Sequence, residues 1–469
     1  LRILSFFEAN FKKENKMKLI AGWTTPLGLL KAEVDQKEYE GFIVPEPLKV
    51  EINALEDEVD AENDEVINEY YAKLDAFSMD PGFDYVQPND LEGIKAERPD
   101  GPRQLPMNLS DEELLDRFHG AWTGRACGCA LGKPVEGMGM SENGRAKIKK
   151  YLSNRGHWPL DYYFSAEKID DMEIACQQSW RENIAYMEPD DDIHYTLIGL
   201  KVLEEKGMEF QWYDVADCWN SSLPYNAICT AETQAILNYN MHYARTQNYR
   251  PTAEFTSSNN NPYREWIGAQ IRADGWAYCC AGNPELSAEF AWRDAHWTHT
   301  ANGIYGEMFA AAMIAASFAE SDPKKIVEIG LSEIPRKCKL AEAVKEALTW
   351  IEEFPDFESF MDKLDAQYDE MSPVHTVNNA LICAASLFYG DMDPDKSISI
   401  SVMGALDTDC NGATVGSMVG AAAGKQNFGG KLQHPLNDTI KPLVFGFQEV
   451  TMKELAKRTL VVYKKLKLL

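Results

Sequence analysis

Three short segments carry carboxylates in spacings that suit a hard cation. The first is Gly124-Arg-Ala-Cys-Gly-Cys-Ala-Leu-Gly-Lys-Pro-Val-Glu136, a Gly-rich turn ending in an acid. The second is Pro189-Asp190-Asp191-Asp192 and the third is Asp407-Thr408-Asp409-Cys410, each just ahead of a helical pattern. Divalent cations such as Mg2+ take several oxygen ligands in a near-octahedral array, and neighbouring carboxylates supply them. An Asp at a helix start also serves as a plain N-cap, contributing about 1 kcal/mol, and that alternative stands for each Asp taken singly. Three consecutive Asp repel one another, however, and capping uses only one. A second D-x-D at another helix start therefore points to a cation site. Glu136 alone reads as a surface carboxylate.

Two lookalikes fail on detail. Gly128-Cys-Ala-Leu-Gly132-Lys133-Pro134 suggests a phosphate loop, but its glycines are one residue too close and Pro134 stands where Ser or Thr is needed. Asp407-Thr-Asp409-Cys-Asn411-Gly412 begins like a calcium-binding EF-hand loop, yet its twelfth position is Met418 instead of a bidentate Glu.

The elements that must position these residues read as helices. Ser110 and Glu113 form a capping-box pattern, with Leu109 and Leu114 placed as a hydrophobic staple, so a helix starts there. Ile193, Leu197, Leu200 and Leu203 share one face of a helix that begins just after the Asp triplet. The segment 306–320, GEMFAAAMIAASFAE, is apolar nearly all round and predicts a buried central helix. Gly412, Gly416, Gly420 and Gly424 recur every four residues after Asp409. Glycine costs a helix roughly 1 kcal/mol against Ala, so such a row implies close approach of another backbone. Alternating strand patterns are scarce, and the expected fold is all-α.

Two regions separate by composition. Residues 1–105 form an acidic, partly helical N-terminal extension, with the run LEDEVDAENDEV at 55–66 and a helix-like segment after it. Tyr70, Tyr71, Leu74 and Phe77 are expected to dock on the main domain as one helical face. A Pro/Gly-rich link, ERPDGPRQLP, leads into the main domain at 106–469. The start has no secretory-signal pattern, and Met17 would make a sensible initiator, so residues 1–16 read either as an upstream extension or as residues foreign to the natural chain.

Charge narrows the function. With 74 acidic against 46 basic residues, the formal charge of −28 repels phosphate backbones and argues against nucleic-acid binding. It also suits divalent cations. No stretch approaches the ~20 apolar residues of a membrane span. The 10 cysteines show no CxxC pair and no zinc spacing with His, so they read as buried thiols of a reducing cytoplasm.

The ordered set G-x-x-L-G-x-P-x-E, an Asp-rich triplet, and D-T-D-x-N-x-A resembles the ADP-ribosylglycohydrolase family over roughly residues 112–460. The resemblance implies a compact multi-helix bundle with two divalent cations, Mg2+ or Mn2+, in a central cleft. By position, Asp190, Asp191 and Asp192 fall on one ligand motif, and Asp407, Asp409 and Cys410 on the other. Glu136 falls on a carboxylate that touches a metal or activates water, and Glu136 and Asp192 are the candidates to take the water's proton. Gly132, Gly268, Ile271, Arg272, His299 and Asn302 fall in segments that resemble the family's substrate side. Three departures stand out: Cys129 where many members have Asp, Asp190 with Ile193 in place of two Thr, and Cys410 in place of a hydroxyl. The implied reaction removes ADP-ribose from a modified side chain or small molecule. Hydrolysis of another riboside, or a non-catalytic binding role, are the alternatives.

Overall fold

The computed structural model describes residues 25–55, 64–246 and 250–467. Residues 1–16, Met17 and most of the acidic run at 55–66 lie outside these. Helices dominate; the described strands are Thr439–Ile440 and Val450–Thr451, paired antiparallel with Thr439 opposite Thr451.

The helices that matter most here are α1 (Pro26–Tyr39), α2 (Glu46–Asn53), α3 (Asp64–Asp75), α4 (Asp111–Gly132), α5 (Asp191–Lys206), α6 (Ala273–Cys279), α7 (Ala301–Ser317), α8 (Thr376–Tyr389), α9 (Pro394–Met403), α10 (Thr408–Ala423) and α11 (Met452–Lys467). The start of α4 is fixed as its sequence predicts. Ser110 Oγ accepts from the Glu113 N–H at 3.3 Å, and the Glu113 carboxylate accepts from the Ser110 N–H at 2.7 Å. Every residue of α7 is buried, which accounts for its lack of a polar face.

Helices α4 and α10 run antiparallel with their backbones in contact. Gly120, Gly124, Gly128 and Gly132 of α4 face Gly420, Gly416, Gly412 and Thr408 of α10. A methyl group on any of these α4 glycines would collide with the facing backbone. The row in α10 thus meets a matching row in α4, and the helical cost of each Gly is offset by backbone-to-backbone packing. Gly424 differs from its row-mates: it ends α10 with φ +74°. This packing sets the N-terminus of α10, with its D-x-D, against the C-terminus of α4, with Lys133 and Glu136 just beyond. Thr408 locks the junction by donating from Oγ1 to the Gly132 carbonyl at 2.8 Å.

The N-terminal helices arrange themselves differently from the sequence expectation. Ile67, Tyr71 and Leu74 of α3 are buried against Leu27, Leu30 and Val34 of α1 and Ile52 of α2, with Tyr70 and Phe77 at the edge. The apolar residues of α2 and α3 close on one side of α1 rather than on the main domain. The docking is done instead by α1, where Leu29 packs with Ala231 and Tyr263, and Trp266 packs against that cluster. Arg264 is clamped there by the buried Glu33 and the half-buried Glu40. It donates to Glu33 at 2.8 and 2.9 Å and to Glu40 at 2.6 and 2.8 Å.

Candidate metal centre and its pocket

The two Asp clusters, 215 residues apart in sequence, meet at the α4–α10 junction. Cys129, Asp190, Asp192 and Asp409 each offer a ligand atom, and these atoms lie within 4.8 Å of one another. Asp407, Asp409 and Cys410 form a second such group, sharing Asp409 with the first.

Local structure separates capping from cation-holding. Asp190 is a true N-cap: its Oδ1 accepts from the Asp192 N–H at 3.0 Å. Its Oδ2 accepts from Lys133 Nζ at 2.7 Å, and Lys133 also donates to the Pro189 carbonyl. Asp407 occupies the N-cap position of α10 without making a side-chain cap. The two residues before it, Ala405 and Leu406, both lie in the left-handed region, at φ +63° and +55°. That conformation costs a non-glycine residue roughly 1–2 kcal/mol. Such strain at a loop that aims a carboxylate is typical of functional sites. Asn379 of α8 braces the loop, its Oδ1 accepting from the Asp407 N–H at 3.2 Å and from Asn411 Nδ2 at 2.8 Å.

The protein's own cations neutralise only part of this acid. Arg125, fully buried on α4, donates to Asp192 Oδ1 at 2.8 Å and lies 2.9 Å from Asp274 Oδ2 on α6. Its remaining bonds go to the carbonyls of Asp192 and Ile271. Among the described residues, no Lys, Arg or His lies within ion-pair distance of Glu136, Asp191, Asp407 or Asp409.

The electrostatic consequence is visible in the carboxyl groups. The charge of Asp409, with burial, pushes Glu136 up to about 9. Burial and then Asp190 raise Asp409 to about 6. Asp191, Asp192 and Asp407 are raised well above the ordinary range, first by burial and then by their acidic neighbours. Asp190 alone is lowered: burial opposes this, but Lys133 outweighs it. Asp192 Oδ2, Asp407 Oδ1 and Asp409 Oδ1 are buried with no hydrogen-bond partner among the described residues. An unsatisfied buried acceptor costs about 1–3 kcal/mol, more if charged. Oxygen-rich donors, orphaned and mutually repelling, fit divalent cations.

A narrow cavity of about 60 Å3 opens onto the centre, lined by Glu136, Asp191, Asp407, Asp409 and Cys410. Trp266, Gly268, Ile271 and Glu232 complete its wall. Met140 lines both this cavity and an adjoining cleft of about 820 Å3.

Of the substrate-side residues marked from sequence, Gly268 and Ile271 line the cavity. Arg272 lies behind the wall, donating to Glu232 at 2.6 Å and to Asp294 at 2.9 Å. His299 is fully buried beside it, Nδ1 2.7 Å from Thr298 Oγ1, and burial lowers its pKa well below the ordinary value, keeping it neutral. Asn302 is occupied by Glu265 at 2.7 Å, Gln87 at 2.9 Å and the Leu340 N–H at 2.9 Å. Gly132 supports Thr408 rather than the cavity. Asp192, marked as a possible base, is held by Arg125 and does not line the cavity. Sequence reasoning passed over Arg125 and Lys133 as counter-ions and Glu232 as a wall residue. Glu232 belongs to no motif, and Arg125 and Lys133 lay within a motif without a sign of their partners.

Residues 110–465 match the family model described as "ADP-ribosylglycohydrolase". No curated protein sequence gives a match. A solved structure described as "ADP-ribosylglycohydrolase-related protein complex" is similar at 18% identity and a TM-score of 0.48, covering 76% of this chain and 99% of the other.

Proposed function

Because the chain belongs to the ADP-ribosylglycohydrolase family, we propose that it is a divalent-cation-dependent hydrolase that cleaves the glycosidic bond at ribose C1″ of an ADP-ribosyl group. The observation that carries this reading is the convergence of Glu136, Asp191, Asp407 and Asp409 on one cavity with no cationic side chain paired to them among the described residues. Asp190, Asp191, Asp192, Asp407, Asp409 and Cys410 would hold two cations, Mg2+ or Mn2+. When bound, such ions orient ribose hydroxyls and lower the pKa of a water molecule.

Glu136 would take the proton of such a water. It lines the cavity and has no ion-pair partner among the described residues, whereas Asp192 is tied to Arg125. Its high proton affinity comes first from the Asp409 charge. Neutralising Asp409 removes that contribution and brings Glu136 toward the range useful for proton transfer. Gly268 and Ile271 shape the wall against which the ribose sits, and Arg272 fixes that wall through Glu232. Typical ligand clefts span ~300–1,000 Å3, so the cavity of about 60 Å3 admits the sugar end alone. The rest of the substrate lies over Met140 in the adjoining cleft.

The small cavity also favours a second reading, a simple riboside as substrate. The test is hydrolysis of ADP-ribosyl-arginine, ADP-ribosyl-serine and simple ribosides with and without millimolar Mg2+ or Mn2+. Cation-dependent release of ADP-ribose is expected. Turnover of ribosides alone would move the assignment to the second reading, and no cation-dependent turnover of any of them would overturn both.

A further inference from the structure

Of the ten cysteines, two stand apart by their surroundings. Among the described residues, only Cys129 and Cys410 join carboxylates in a potential ligand group. Cys129 is grouped with Asp190, Asp192 and Asp409, and Cys410 with Asp407 and Asp409. Each group has one sulfur, and the two groups meet at Asp409. A buried cysteine usually packs as a small hydrophobe. Here one side of each sulfur is turned to acidic oxygens, and Cys410 also lines the cavity. The orphaned oxygens Asp192 Oδ2, Asp407 Oδ1 and Asp409 Oδ1 belong to the same two groups.

We propose that the centre is a mixed sulfur–oxygen site, in which Cys129 and Cys410 would each give a thiolate to one of the two ligand groups that share Asp409, so that borderline first-row dications are selected over Mg2+. The proposal rests on the two-cation reading above and deepens it. Thiolate is a poor ligand for Mg2+ and a good one for the softer end of the series, while carboxylate serves either. Sulfur at both positions biases the whole centre; a single sulfur would leave one position indifferent. Binding replaces the S–H bond at each cysteine by a sulfur–cation bond and releases one proton per Cys to solvent, because the thiolate is the ligand form.

Cobalt(II) is the probe, since sulfur bound to it gives a near-ultraviolet charge-transfer band that oxygen ligands do not. The full chain is titrated with Co2+, absorbance and calorimetry being read together, for wild type, Cys129→Ser, Cys410→Ser and the double variant. The expected result is two Co2+ per chain with the band in wild type, about half of it in each single variant and none in the double. The double variant should still bind through its carboxylates, with Mg2+ competing more effectively against Co2+ than in wild type. Cobalt bound without the band in wild type would overturn the sulfur proposal and leave the two-cation reading standing. A band unchanged in both single variants would place it on another cysteine and also overturn the proposal. No Co2+ uptake by calorimetry would overturn the proposal and the two-cation reading together.

Discussion

Two largely buried acidic clusters, one at the N-terminal dock and one at the candidate centre, resolve their charge in opposite ways. At the N-terminal dock, Glu33 and Glu40 both touch the Arg264 guanidinium in paired hydrogen bonds. At the candidate centre, Glu136, Asp191, Asp407 and Asp409 touch no cationic side chain among the described residues. Both clusters are buried and both are rich in acid, so acid content does not distinguish a site from a brace. Neutralisation does. A carboxylate taken out of water must be paired or must give up its charge; the dock is paired by Arg264, whereas the raised pKa values of Glu136, Asp191 and Asp407 keep the centre's charge down until a cation takes the protons' place.

The largest effect should come from Asp409, which both ligand groups share. Asp409→Asn keeps the size but removes the charge. Turnover of ADP-ribosyl substrate should fall by about 10²–10³-fold, the scale on which one preorganised electrostatic group acts. The melting temperature of the metal-free protein should hold or rise slightly, since a repulsion is relieved. Near-normal turnover would make the centre a brace like the dock and erase the contrast.

Arg264→Met tests the other cluster. It strands Glu33 and Glu40, and breaking a buried pair in this way costs about 3–5 kcal/mol. Thermal unfolding should show the loss to the same extent with and without added cations. Adding Glu33→Gln and Glu40→Gln to that variant should recover part of it. A loss that cations repair would mean that the dock and the centre are one electrostatic unit.

The two clusters also differ in their response to pH. Glu136 rises from an ordinary 4.5 to about 9 through Asp409 and burial, and Asp409 rises from 3.8 to about 6 through burial and Asp190. A carboxyl raised in the folded state stabilises fully below its unfolded pKa and loses that contribution as pH climbs through the folded value. The metal-free protein should therefore lose stability between pH 5 and 9 by way of the centre, and saturating Mn2+ should flatten the decline. At the dock, burial raises Glu33 while Arg264 holds Glu40 below its ordinary value despite its burial. These shifts have opposite signs, so the dock should add little slope. Melting curves of the Arg264→Met and Asp409→Asn variants across that pH range check the assignment: the slope should survive in the first and shrink in the second.

The smallest effect is expected for Asp75→Asn. Its pair with Lys37 spans 2.9 Å on the same N-terminal helices, but the Asp75 side chain is 67% exposed. Exposed pairs contribute little, so the melting temperature should match wild type. A clear loss would show that surface pairing, and not burial, holds those helices together.

Much of the scaffold was legible in the linear chain. The capping box at Ser110 and Glu113, the apolar spacing from Ile193 to Leu203 and the unbroken apolar run of α7 act over one to a few turns, so local sequence suffices to place them. The glycine row of α10 showed that a backbone must come close, and the ordered Asp motifs pointed to the family. The partner row on α4 went unread because Gly120, Gly124, Gly128 and Gly132 acquire meaning only when the facing helix is known. Likewise α3 has an apolar face in any reading, yet its sequence does not say whether α1 or the main domain covers it.

The amino-acid sequence by itself thus determined which helices form, where the carboxylates stand at their starts, and that the acid greatly exceeds the base. Tertiary structure decided which of those carboxylates are already answered. Arg125 reaches Asp192 across 67 positions, Lys133 reaches Asp190 across 57, and Arg264 reaches Glu33 across 231. It also set Arg272 and His299 behind the cavity wall while bringing Glu136 to its face. The reason is physical: helix formation depends on neighbours within a turn, whereas ion pairing falls with distance through space and depends on burial. Both are fixed only when distant segments pack.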